Sequence, residues 1–76
     1  LVMTLAPNSP GATKGTATFG DYDAGVVSDG YHYRLVQTGT GTYDVCSGNI
    51  KVAYDIYYED GGWVYWYSVE NTYTVP

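Results

Sequence analysis

Apolar and polar residues alternate with a period of two along much of this chain. The clearest run is Tyr31-His32-Tyr33-Arg34-Leu35-Val36-Gln37, which sets Tyr31, Tyr33 and Leu35 on one side and His32, Arg34 and Val36 on the other. No window carries the i, i+3, i+4, i+7 apolar stripe of an amphipathic helix. Glycines interrupt the pattern at short intervals, as turns between short strands do. The pattern predicts strands over 1–5, 15–19, 25–28, 31–37, 43–46, 50–58 and 63–69, and a last extended segment over 71–75. Between them lie a connector over 6–14, a turn over 20–23, an Asp29-Gly30 turn, a loop over 38–42, and turns at 47–49 and Asp60-Gly61. The expected fold is all-β: a small antiparallel β-sandwich or partly open barrel of six to seven short strands, in one domain over 1–76.

The C-terminal hairpin is the most informative stretch. Asp-Gly between alternating apolar residues signals a two-residue turn. Taking Asp60-Gly61 as that turn pairs Tyr58 with Trp63, Ile56 with Tyr65, Tyr54 with Tyr67 and Val52 with Val69. The opposite side then carries Tyr57 against Val64 and Asp55 against Trp66. A strand covered by water on one side does not place Tyr, Val and Trp there. The hairpin is therefore expected to be covered on both faces or to bind something. Tyr57, Val64, Trp66, Tyr31 and Tyr33 are the expected aromatic contact face.

Composition strengthens the β reading. Val, Thr, Tyr, Ile, Phe and Trp, the residues suited to a pleated and half-buried surface, are plentiful, with ten Tyr alone. Charged residues make up only 14% of the chain. Three Lys or Arg against eight Asp or Glu leave a net charge of −5, which argues against nucleic-acid binding. No apolar run approaches the ~20 residues of a membrane-spanning helix, so no transmembrane segment is expected. One Cys excludes an internal disulfide, and one Cys with one His excludes a protein-only zinc site.

Candidate chemistry is sparse. The stretch from Asp21 to His32 lacks the Gly and Glu positions of an EF-hand loop. A looser calcium site from Asp21, Asp23 and Asp29 stands against the reading of these residues as Asx-turns. Cys46 is expected as a small buried hydrophobe on a strand, with a disulfide to another subunit as the sharper alternative. His32 sits beside no recognised nucleophile motif, and Glu59-Asp60 falls at a turn tip. The loop over 38–42 lacks the Lys and helix of a phosphate-binding loop. No catalytic residue and no cofactor are expected. The Thr- and Ser-rich stretch over 4–18 is a candidate for O-linked sugar.

The low Lys content, the Tyr/Thr/Gly bias and a first residue other than Met lead to the expectation of a secreted, extracellular or particle-surface protein. A domain of this size is marginal alone, and no disulfide or metal compensates. Residues Leu1, Val2, Met3, Thr4 and Leu5 form an apolar, β-prone segment on an extended connector. That segment suits an edge strand of its own sheet or a donor strand for a neighbour's. The expected function is a non-enzymatic structural subunit of a filament, sheath or virion surface, its partners being copies of itself. The alternative is a small secreted binding module, for glycan or for a hydrolase, using the Tyr/Trp platform.

Overall fold

Seven strands alternate with short turns in the computed structural model, which describes residues 2–75. They are β1 (Thr4–Pro7), β2 (Lys14–Thr18), β3 (Asp21–Val26), β4 (His32–Gln37), β5 (Gly41–Asp44), β6 (Asn49–Glu59) and β7 (Trp63–Thr74). All pairings are antiparallel and all belong to one sheet, which does not close into a barrel. The all-β antiparallel reading and the strand number therefore hold, with one layer rather than the two of a sandwich.

The topology is simpler than seven strands suggest. β4 and β5 pair with successive stretches of one edge of β6, residues 54–58 and 49–51. β7 covers the other edge along the full length of β6. β3 and β2 likewise pair with β4 and β5 in turn. The chain is thus an up-and-down meander of long rows, two of which are broken at residues 19–20 and 38–40.

Gln37 fastens the two breaks together. Its side-chain Oε1 accepts from the backbone N–H of Phe19 at 2.8 Å and of Gly20 at 3.3 Å. Its Nε2 donates to the Ala17 carbonyl at 2.9 Å. The Thr38 N–H donates to Ala53 O at 2.9 Å, keeping the second break tied to β6. One amide side chain thus satisfies backbone groups that the interrupted ladder would leave unpaired.

The sheet measures 46 × 22 × 18 Å. Its rows, spaced ~4.8 Å apart, account for the width, and ~3.3 Å per residue accounts for the length. An 18 Å depth far exceeds one pleat, so the sheet is strongly twisted and curled. The radius of gyration is 14.4 Å, against about 11 Å for a compact chain of this length. Ala17 and Val52 are the only buried hydrophobic residues among those described. Gly15 and Gly41 are buried beside them, and neither has room for a side chain.

Several expected boundaries move. β1 runs to Pro7 and β2 begins at Lys14, so the connector placed at 6–14 shrinks to a hairpin loop over 8–13, closed by Asn8 N–H donating to Lys14 O. Thr4 and Leu5 pair in cis with Thr18 and Ala17 at the outer edge of β2. Leu1 lies outside the described residues. Of the turn expected over 20–23, residues 21–23 form the first half of β3. Cys46 is exposed in the β5–β6 turn, not buried on a strand.

The β6–β7 register also differs. Asp60-Gly61 is not a two-residue turn, because both positions of such a turn need positive φ and no described non-glycine residue has it. Gly61 (φ 68°) and Gly62 (φ 154°) supply the special angles, which makes the loop three residues long. Glu59 then pairs with Trp63, Tyr58 with Val64 and Tyr57 with Tyr65. A bulge at Trp66 follows, after which Ile56 pairs with Tyr67 and Tyr54 with Val69.

Candidate functional site

Cross-strand pairing sorts every strand residue onto one of two faces. One face carries Leu5, Ala17, Tyr22, Tyr33, Leu35, Tyr43, Ile50, Val52, Tyr54, Ile56, Tyr58, Val64, Tyr67, Val69 and Tyr73. No charged residue stands at a strand position on it. The other face holds Lys14, Asp21, Asp23, Arg34, Asp44, Lys51, Asp55, Glu59 and Glu70, with Thr filling most of the remainder near β1 and β2. Asp29 and Asp60, the only other charged residues, sit in turns. Charge thus segregates by face, although the two-residue turn register had implied an apolar hairpin on both sides.

The uncharged face is densest at the end formed by the β3–β4 and β6–β7 turns. The Trp66 bulge adds a side chain to this face, where the Trp66 ring stacks on Tyr33 at 5.7 Å and meets Tyr67 edge-on at 4.7 Å. Tyr58 stands edge-on to both Tyr31 and Trp66. Tyr31, Tyr33, Tyr58, Asp60 and Trp66 line a cavity of about 300 Å³. Asp29 braces the cluster, accepting from the Tyr31 N–H at 2.8 Å and the Tyr33 hydroxyl at 2.6 Å. That hydroxyl, held by the carboxylate, is pushed up to about 12. Further along, Phe19 packs edge-on against Tyr54, and Asn71 Nδ2 donates to the Tyr54 and Tyr73 hydroxyls. A second cavity, also about 300 Å³, opens at the far end of this face between Leu5, Tyr43, Ile50 and Val75.

Of the expected contact residues, Tyr31, Tyr33, Val64 and Trp66 come together on the uncharged face. Tyr57 does not: it pairs with Arg34 and Tyr65 on the reverse face. Tyr58 and Tyr67 take part instead, and the bulge that recruits Trp66 has no local signature in the sequence.

The reverse face is an ion-pair network. Arg34 donates from both Nε and Nη2 to the Asp21 carboxylate while its guanidinium lies 5.6 Å from the centre of the Trp63 ring. His32 Nε2 stands 2.5 Å from Asp23 and Nδ1 3.4 Å from Glu59. Only the imidazolium donates to both carboxylates. The bond to Asp23, helped by Glu59, accordingly raises the His32 pKa, and the same bond with the Gly25 N–H lowers that of Asp23. The candidate calcium ligands do not converge: Asp21 serves Arg34, Asp23 serves His32, and Asp29 serves Tyr33. Among the described residues no group of three His, Cys, Asp or Glu side chains is placed to hold a metal ion, and no helix is long and apolar enough to cross a membrane.

Comparison of the chain with protein-family models, with curated proteins and with solved structures finds no match.

Proposed function

We propose that this chain is a non-enzymatic structural subunit of an extracellular or particle-surface assembly, built from copies of itself. The observation that supports the reading best is the single-layered sheet. A sheet with one apolar face is stable when that face is covered by another layer, and this one carries most of its aromatic residues on an open face, with Ala17 and Val52 the only buried hydrophobic residues among those described. Both outer edges are open as well. β7 offers a twelve-residue edge with Glu70 its sole charge, and such edges pair with other strands unless they are blocked. β1 is four residues long and exposed throughout, so exchange between copies at the β2 edge reuses the register it has in cis.

Analytical ultracentrifugation and electron microscopy of the native protein test the reading. Oligomers or filaments are expected, and a monodisperse 8.3 kDa species up to millimolar concentration overturns it. Deleting residues 1–7 is expected to weaken assembly, and unchanged assembly rules out strand exchange.

A second reading, a glycan-binding module, draws on the cavity between Tyr31, Tyr33, Tyr58, Asp60 and Trp66, which has aromatic walls and a carboxylate at its rim. A glycan array checks it, with Trp66→Ala expected to abolish any binding seen.

A further inference from the structure

We infer that the uncharged face is the contact between two copies, which pack face to face as the two layers of a β-sandwich; the inference rests on the assembly reading above. Area is the first argument. The two longer extents of the molecule, 46 and 22 Å, frame a footprint of up to roughly 1,000 Å², where a standard stable interface takes about 800 Å² from each partner. The exposed contributors are large. Trp66 is 52% exposed, Tyr31 49%, and Tyr67 and Tyr73 44% each, spread along its length. Aromatic side chains of this kind dominate interface energetics.

Charge is the second argument, and it selects the occupant. Each copy carries −5, so a second copy is a poor partner unless the charges stay apart. Placing the charged face of one copy on the uncharged face of another would bury Lys51, Asp55, Glu70 and the Asp21–Arg34 pair, at a desolvation cost. Packing uncharged face on uncharged face buries no strand charge at all and leaves both ion-pair networks in water on the outside. The contact is isologous, so it closes at two copies and leaves the β7 edges free for further growth.

The curl of the sheet fits the same arrangement. All four buried residues among those described, Gly15, Ala17, Gly41 and Val52, lie on the uncharged face, so the sheet already wraps toward that side. Layers packed about 10 Å apart leave room for one interdigitated set of side chains from each copy.

Sedimentation equilibrium on Trp66→Lys and Tyr67→Lys, with Tyr65→Lys as control, decides the matter. Tyr65 is as exposed as Trp66 and lies on the same strand, but on the charged face. The first two variants are expected to weaken the pair at least a hundredfold, leaving a monomer, while Tyr65→Lys stays paired. Equal effects from all three, with far-UV circular dichroism unchanged, overturn the face assignment but leave the assembly reading standing. A wild-type chain that is monomeric at every concentration overturns both. A measurement without a surface charge guards against misfolding. In Trp63→Phe the emission reports Trp66 alone, and dilution through the dissociation range is expected to shift it to the red; an emission that stays constant while the mass halves overturns the proposal.

Discussion

Gln37 stands where β4 stops, on the apolar face, and its amide reaches across to the break between β2 and β3. Three backbone groups depend on it: the N–H of Phe19, the N–H of Gly20 and the carbonyl of Ala17. Gln37→Leu keeps the side-chain bulk and takes the acceptor from the part-buried Phe19 N–H. Leaving part-buried polar groups unpartnered costs about 1–3 kcal/mol, and urea denaturation is expected to show a loss in that range. His32 offers a second test at this scale. Its pKa is raised by Asp23 and Glu59, so its contribution is complete below about 6.5, the unfolded value, and is lost as pH rises through the folded value. The pKa of Asp23 is lowered, so its contribution is complete above about 4 and is lost as pH falls through the folded value. Stability is therefore expected to plateau between about pH 4 and 6.5 and to decline on both sides. In Asp23→Asn the decline on the alkaline side is expected to shrink, as read from urea midpoints at pH 5 and pH 8.

At the scale of elements, the weak joint is between β1 and β2. Gly15 pairs with Pro7 on one side and Tyr43 on the other, and the Tyr43 ring lies over it. A Cβ at residue 15 would fall 2.1 Å from the Ala6 carbonyl oxygen and 2.5 Å from that ring. Gly15→Ala is expected to push β1 off the sheet at a cost of about 1–3 kcal/mol. Hydrogen exchange should then accelerate at Thr4 and Ala6, whose N–H groups face β2, while β6 and β7 keep their protection. Much of this scale was legible from alternation alone. The faces of β4 come out as its pattern predicts, because no bulge interrupts Tyr33 to Gln37. β7 was not legible past its turn. One extra loop residue puts Trp63 to Tyr65 on the faces opposite to those expected, and the unpaired Trp66 restores the faces from Tyr67 onward, with the pairing shifted by two residues. Neither event alters the apolar pattern, since aromatic residues occupy both parities there. β3 was hidden for a related reason: Asp21 and Asp23 resemble turn residues until Arg34 and His32 on the neighbouring strand neutralise them. The segregation of charge depends on those pairings, so it too emerges only once the register is known.

For the whole molecule the deciding quantity is the balance between an apolar face and a net charge of −5. The nine strand charges line the reverse face, so in a face-to-face pair they are separated by two layers of sheet, with Asp29 and Asp60 at the turn end. That distance of ~10 Å or more is comparable to the Debye length of about 10 Å at 0.1 M salt. Repulsion between the copies is therefore felt at low salt and screened at moderate salt. Self-association is expected to strengthen as ionic strength rises from 10 to 200 mM, the reverse of an association driven by opposite charges. It should strengthen again as pH falls toward the pI of about 4.2, where net charge vanishes and the acidic reverse faces lose their mutual repulsion. Sedimentation equilibrium across a grid of salt and pH checks both trends. Association that weakens with added salt would place the contact on the ion-pair face, among Asp21, Arg34, His32 and Glu59. Small-angle scattering supplies the structural readout. A monomeric Trp66→Lys chain should scatter as an extended sheet, well above the about 11 Å radius of gyration of a compact chain of its length, whereas a sandwich gains mass chiefly in thickness and grows little along its 46 Å axis.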